Sequence, residues 1–528
     1  MEIPDVSVLE DRMPEWFRST RTFAGLSVML LVVFLFLNYR PLWHTDLWGH
    51  LAYGRLIRES GLGVLYGNEP LMPLAEGIRF TDTAWLSQVI GFLAYESLGI
   101  SALQFLFAFS VTLCLGLLTW RFYRRTESAL VTVLGLVMFV VVAWQQMFVN
   151  APSVFVPSAL IRPQLAGWVC FIALFVALTS RRWHKSYWAL IPLLFAVWAN
   201  LHGSFLVGLT LLGCLLLGRA IDIERRTKKL GAILKDPMTQ RYFFLLELSA
   251  VAVLLNPYGL GIYSAVLEVS NHPNMQNLVE WDPLTLRTNQ GSWTGFAALV
   301  LVFVYRWSPR RVQSAEVLLL AGFGGLTLYY SRFLIWWAPL AAYYLVLHGN
   351  PILKEDRAKQ PVPKPEKKTS LNTVVCFGLL WIVFAITPFG SRVIHQREPD
   401  FSKSVGPLTP VRAAEYLKQR AAENTLPPGL IFNSYQWGDY LLWTAPGQRQ
   451  VFVSSHVQFL PETVWAHYFD VVNLNLGYDR ILAGYGVNVV LLSKSMHRRT
   501  IDRLREDGPW RTDYEDDRAV ILVRGNPI

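Results

Sequence analysis

The chain has 528 residues, of which 53% are hydrophobic and only 16% charged, with a formal net charge of +10. Soluble domains carry about 25% charged residues, so an ordinary soluble globular protein is excluded. The basic excess lies in short segments between apolar runs, which is a signal of membrane orientation and not of a nucleic-acid partner.

In chain order, residues 1–22 form a polar tail carrying Arg12, Arg18 and Arg21. The first apolar run, "TFAGLSVMLLVVFLFLNY", leads into "RPLW" without a small-residue cleavage site, so it reads as a retained helix. Runs long enough, or nearly so, to cross a hydrocarbon layer of about 30 Å recur along the chain. Eleven candidate spans lie near 22–39, 102–120, 128–147, 163–180, 187–200, 203–221, 241–256, 292–307, 314–330, 333–348 and 371–389. With the N-terminus inside, the inner segments ("RFYRR", "RRWHK", "RWSPRR") hold most of the Lys and Arg, and the outer loops hold isolated arginines.

The predicted organisation follows. Residues 1–22 are a cytoplasmic tail. Residues 23–348 are a transmembrane region with an outer loop over 40–100. Residues 349–370 are a Pro- and Lys-rich cytoplasmic linker, 371–389 a last transmembrane helix, and 391–528 an extracytoplasmic domain. That domain reads as α/β: "GLIFN", "QVFVSS", "VNVVLLS" and "RAVILVRG" look like strands, and "PVRAAEYLKQRAA", "TVWAHYFDVVNL" and "HRRTIDRLRED" like helices. No glycine-rich phosphate fingerprint follows its first strand, so no nucleotide site is expected. The four cysteines, Cys114, Cys170, Cys214 and Cys376, all sit in apolar runs, which argues against disulfides and zinc.

Polar groups near lipid are costly and usually functional. In this topology they gather on the outer side: Asp46, His50 and Asp82 in the first outer loop, Arg162 in "ALIRPQLAG", Asn200 and His202 in "VWANLHGSF", Glu280 in "LVEWDPL" and Arg332 in "YYSRFL". Each alone is also explained as a helix cap or interface anchor. Together they point to a shared outer pocket. Arg162 and Arg332 run against the positive-inside rule, and their forked donors suit an anionic phosphate.

The stretch "LWHTDLWGHLAYGRLI", Leu42 to Ile57, is the densest of these. As a helix over 46–58 it aligns Asp46, His50, Tyr53 and Ile57 on one narrow edge, with an apolar arc opposite from which Arg55 snorkels. This is the pattern of a helix lying at a membrane interface. Three readings stay open. His44, Asp46 and His50 have metal-ligating side chains, although a helix splits His44 from the other two. Asp46, beside a cationic pocket, suits a general base, with His50 or Asp82 orienting an acceptor. Or the helix is purely structural.

The succession "DLWGHLAYGRLI", "TAWLSQVI", "LIRPQ", "WANLHGS", "LNPYG", "VEWDP", "YSRFL" resembles bacterial multi-pass glycosyltransferases of the GT-C type. These are similar in architecture to the protein O-mannosyltransferases and lipid A aminoarabinose transferases. The likeness covers most of 23–348 and continues at "GLIFNSYQWGDYLLWTAPGQRQVFV". It implies a GT-C-like fold of about eleven spans in a bacterial inner membrane. It also implies a polyprenyl-phosphate-linked sugar donor and an acceptor that is a glycan, lipid or protein. Carried onto this chain, the base is Asp46, with Asp82 second; Arg332 and Arg162 bind the donor phosphate; His202 and Glu280 line the pocket. Two departures stand out. No DxD signature surrounds Asp46, which favours a metal-independent enzyme without cofactor. Where relatives often have an acidic-Gly-Arg run, this chain has "SSHVQ", Ser454 to Gln458. The rival functions are a transporter or flippase for lipid-linked glycans, which should place polar groups at mid-membrane, and a non-catalytic scaffold whose outer domain binds a partner.

Overall fold

The computed structural model describes residues 13–150, 156–180, 182–357, 366–445 and 450–525. Part of the tail, residues 1–12, and part of the linker, residues 358–365, lie outside the described residues.

The membrane region is helical. Its elements are α1 (Arg21–Asn38), α2 (Leu47–Ser60), α3 (Trp85–Leu98), α4 (Ile100–Thr126), α5 (Ala129–Met147), β1 (Phe148–Val149), β2 (Ser158–Ala159), α6 (Gln164–Leu178), α7 (Tyr187–Leu201), α8 (Phe205–Thr227), α9 (Leu230–Lys235), α10 (Pro237–Ala252), α11 (Gly261–Ser270), α12 (Asn289–Trp307), α13 (Ser314–Tyr329), α14 (Leu334–Arg357), α15 (Ser370–Ile386) and α16 (Pro388–His395). Each of the eleven apolar segments forms a helix. By length and composition, four of them (α1, α4, α5 and α8) are long and apolar enough to cross a membrane, and the bent pair α15–α16 makes a fifth. Helices α6, α7 and α13 are apolar but shorter. The chain is therefore a multi-pass membrane protein, in which four of the eleven expected spans, or five if the bent pair is one span, meet this measure among the described residues.

The last predicted helix, 371–389, ends early. Helix α15 stops at Ile386 and α16 leaves at 81°. Pro388 lacks an N–H and disfavours helix at the preceding residue. Thr387 takes the cap of α16 by accepting the Gly390 N–H at 3.0 Å.

The C-terminal region holds α17 (Phe401–Ser404), α18 (Val411–Ala422), β3 (Leu430–Asn433), α19 (Tyr435–Thr444), α20 (Glu462–Val472), α21 (Tyr478–Gly484), β4 (Val487–Ser493), α22 (Arg498–Asp507), β5 (Trp510–Glu515) and β6 (Ala519–Arg524). The sheet order is β3-β4-β6-β5. Strand β4 runs parallel to β3 and antiparallel to β6, and is buried along its length. The expected strand "QVFVSS" does not form. It makes one bridge, Ile431 to Val451. Beyond it the Asn433 side-chain oxygen accepts the N–H groups of Phe452 (3.1 Å) and Val453 (3.4 Å), in place of a strand ladder. Strand β5 and helix α19 are elements the sequence pattern did not indicate.

Helix α2 differs from expectation in a way that matters for function. It starts at Leu47, not Asp46, and it is enclosed by protein instead of resting on lipid. It packs between α3 and α19, with Leu47, Trp48, Gly49, Leu51, Ala52, Tyr53, Gly54 and Ile57 all buried. The absence of a side chain at Gly54 permits the approach to α3: a Cβ there would lie 2.2 Å from the Gln88 carbonyl oxygen. Trp48 is fully buried among Tyr95, Phe401, Tyr440 and Trp443. Arg55 does not snorkel; its guanidinium lies 4.5 Å over the Trp443 ring. The segment before α2 is clamped from both regions: the Leu42 N–H donates to Ser404, the Gly406 N–H to Leu42, and the Trp43 N–H to Ala159.

Trp48→Ala should cost about 3–5 kcal/mol, the range for truncating a buried aromatic. Thermal unfolding in detergent checks this, with the exposed Trp16 mutated to Ala as the control that leaves the midpoint unchanged.

Candidate functional site

Asp46 sits at the N-terminus of α2 with φ +68° and ψ −41°. A non-glycine residue at positive φ is strained and persists only where its surroundings hold it. Its carbonyl accepts the His50 N–H at 2.9 Å, and its own N–H donates to the Asp439 carboxylate at 2.8 Å. An Asp in this position commonly caps its helix; here the carboxylate makes no cap bond. It turns instead to Arg162, with Oδ2 at 2.7 Å from Nε.

Arg162, just before α6, also donates through Nη1 to Glu280. Glu280 in turn faces Arg332, whose Nη1 is 3.7 Å away. Arg332 lies 4.3 Å over the ring of Trp281. The turns carrying these two residues are tied together: the Ser331 N–H donates to Asp282, and the Ser331 hydroxyl to the Glu280 carbonyl. Four segments thus meet in a chain of alternating charge, Asp46–Arg162–Glu280–Arg332. Each of these side chains keeps 21–32% of its surface exposed, because the row faces a cavity.

The cavity has a volume of about 180 Å³ and is lined by Asp46, His50, Asp82, Arg162, His202, Glu280 and Arg332. These are the sequence-derived candidates with one exception. Asn200 is not in the lining. Its side-chain oxygen accepts the Trp85 indole N–H at 3.0 Å, and its amide donates to Ala196 and Leu255, so it ties α7 to α3 and to the end of α10. His44 is also outside the cavity, buried against Trp43, and the set His44, Asp46, His50 does not assemble as metal ligands among the described residues. A second, apolar cavity of about 160 Å³ shares Arg162, His50 and Gln88 with the first and runs on past Leu47, Leu103 and Leu165.

The charge states follow from burial and neighbours. Burial pushes Asp46 up, Arg162 opposes this, and Asp439 and Glu280 add to it; the net direction is upward. Burial would also raise Glu280, but Arg162 and Arg332 overcome it and hold it down to about 2. Burial lifts Asp82 to about 6 and lowers His202 to about 3. Neutral His202 accepts the Ser204 N–H on Nδ1 at 3.1 Å.

Four cavity residues come from the C-terminal region and are not among the sequence-derived candidates: Ser455, His456, Gln458 and Phe459. Asp439, behind them in α19, is wholly buried. It accepts from the Ser455 N–H at 3.2 Å and the Ser455 hydroxyl at 2.5 Å, and faces His456 Nδ1 at 3.5 Å. The signal that existed was a lone carboxylate inside the apolar run "WGDYLLW".

Among solved structures, the chain is similar to the Archaeoglobus fulgidus oligosaccharyltransferase tethered with an acceptor peptide containing the NVT sequon. The TM-score is 0.54 at 11% identity, over 92% of this chain and 70% of that one. The apo form of the same enzyme gives 0.52 at 11% identity, over 92% and 71%. The chain has the GT-C fold. ArnT from Cupriavidus metallidurans is similar over 95% of this chain and 97% of its own, at 14% identity and a TM-score of 0.48. No family model and no curated protein matches the sequence. The fold of the archaeal oligosaccharyltransferase is shared over 92% of this chain.

Asp82→Asn tests the electrostatics of the cavity. A carboxyl raised from 3.8 to about 6 in the folded state loses stability as pH rises through that window, because the unfolded chain releases the proton first. The variant should therefore melt higher than wild type at about pH 8, with the difference gone by about pH 4.

Proposed function

We propose that the chain is an inverting glycosyltransferase of a bacterial inner membrane that takes a sugar from a polyprenyl-phosphate donor. The acceptor is a glycan, lipid or protein on the outer side, where the C-terminal region lies in this reading. The observation that carries it is the convergence of Asp46, Arg162, Glu280 and Arg332 at a polar cavity joined to an apolar one. An amphiphile with an anionic head fits such a pair of spaces, its phosphate among the arginines and its chain along the leucines.

Asp46 acts as general base. Its strained backbone and its ion pair with Arg162 fix the carboxylate in place, and its raised affinity for a proton improves it as an acceptor. The acceptor O–H gives its proton to Asp46 as its oxygen bonds to the anomeric carbon. The bond from that carbon to the phosphate oxygen breaks, and the electron pair leaves with the lipid phosphate. Arg332, whose nearest carboxylate among the described residues is Glu280 at 3.7 Å, offers its fork to the charge that develops there. No metal ion is needed in this scheme.

The test is release of lipid phosphate and transfer of sugar from synthetic polyprenyl-phosphate sugars by the full-length protein in lipid nanodiscs. Asp46→Asn should lower transfer by about 10²–10⁴-fold. Arg332→Ala should lose roughly tenfold or more and Arg332→Lys less, since Lys keeps the charge without the fork. Undiminished transfer by Asp46→Asn removes it as the base. No turnover of any polyprenyl-phosphate sugar by wild type leaves the transporter and scaffold readings.

A further inference from the structure

The membrane region does not build the cavity alone. Helix α2 meets the C-terminal region at Gly49, where a Cβ would lie 2.6 Å from His456 Cε1 and 2.9 Å from the Asp439 carboxylate. No other residue type allows this contact as it stands. On the far side of His456, Nε2 is 3.3 Å from His50 Nδ1, and the two rings stack edge to face at 4.7 Å. The same His50 Nδ1 also faces the Gln88 side-chain N–H at 3.1 Å.

We infer that Asp439 and His456 are positioning residues for the reaction: Asp439 holds the backbone of Asp46, and through His456 it fixes His50 as the neutral tautomer that offers Nε2–H to the cavity. This rests on the transferase reading above, because it assigns the two residues to the setting of its base.

The Asp439 carboxylate takes the Asp46 N–H, the Ser455 N–H and the Ser455 hydroxyl, so it stays ionised, and its remaining neighbour, His456 Nδ1, must bring a proton. Beside a buried carboxylate His456 is the imidazole that holds charge, so Nε2 also carries a proton and donates to His50. The Gln88 amide at 3.1 Å and His456 Nε2 at 3.3 Å share the one lone pair of His50 Nδ1, so Nδ1 is an acceptor and the single proton of His50 sits on Nε2. Burial holds His50 well below the ordinary histidine range, and His456, Arg162 and His202 push it the same way. Asp46, Asp82, Glu280 and Arg332 share the cavity with His50 besides these three. Those facing His456 are His50, Asp439, Asp46 and Asp82, with Glu69 and Tyr53 beside them. A neutral donor at His50 is the group that can hydrogen-bond a phosphate or sugar oxygen without taking the proton destined for Asp46.

The experiment reads the His50 proton directly. Full-length protein in nanodiscs is labelled with diethyl pyrocarbonate, which attacks neutral imidazole, and labelling at His50 is followed by peptide mass spectrometry from about pH 5 to about pH 8. In wild type the rate at His50 should show no titration step in that window. In His456→Gln and Asp439→Asn the positive charge beside His50 is lost, so its titration should move up toward 6.5 while burial still holds it below that value, and a fall in labelling rate should return at the acid end of the window. Gly49→Ala, which removes no polar group but displaces His456, should restore it as well and serves if the first two fail to fold. The same variants should lower kcat by roughly tenfold with little change in KM for the donor. Identical His50 titration in wild type and all folded variants overturns the proposal. A changed titration with no transferase activity in wild type upholds the relay and overturns the transferase reading instead.

Discussion

The ion pair between Asp46 and Arg162 is the interaction on which the site depends. It joins the start of α2 to the start of α6, and through Glu280 and Arg332 it reaches the turns before α12 and α14. Removing one partner from such a half-buried row leaves an uncompensated charge, which costs far more than the pair contributes. The four segments are thereby held in one arrangement, and the carboxylate that faces the cavity cannot swing back to cap its own helix.

The second constraint is that the C-terminal region is part of the site. Asp439 receives the backbone N–H of Asp46, and Leu42 bridges to β2 on one side and to Val405 on the other. The loop after α19 supplies Ser455, His456 and Gln458 to the cavity wall. The region does more than hold an acceptor in the proposed reaction: Asp439 binds the backbone of Asp46, the proposed base.

Much of this was legible in the sequence. The eleven apolar runs each mark a helix of the membrane region because hydrophobic length is the dominant constraint there, while the short α9 and α11 carry no such run, and the placement of Asp46, Arg162, His202, Glu280 and Arg332 foretold a pocket. What was not legible has physical reasons. A helix buried in protein and one lying on lipid show the same apolar arc, so α2 was read as interfacial. An amide at a helix end serves equally to line a cavity or to tie helices, and Asn200 does the second. The strand expected at "QVFVSS" gave way to the side chain of Asn433, a competition between side chain and ladder that no periodicity records. Strand β5 is largely exposed and charged, with only Trp510 buried. The Asp439–His456 pair lies in the C-terminal region, and its partner His50 in the membrane region is about four hundred residues away in the chain, beyond any local pattern.

In the proposed reaction the polar cavity holds a lipid phosphate against the arginines with its sugar facing Asp46. The most direct measurement is an electron cryomicroscopy structure of the full-length protein in nanodiscs with a non-hydrolysable polyprenyl-phosphonate sugar. The account predicts the phosphonate within hydrogen-bonding reach of Arg332, the anomeric carbon turned toward the Asp46 carboxylate, and the lipid along the apolar cavity beside Leu103 and Leu165. A headgroup bound away from Arg332 and Arg162, with the Asp46–Arg162 cavity empty, would contradict it.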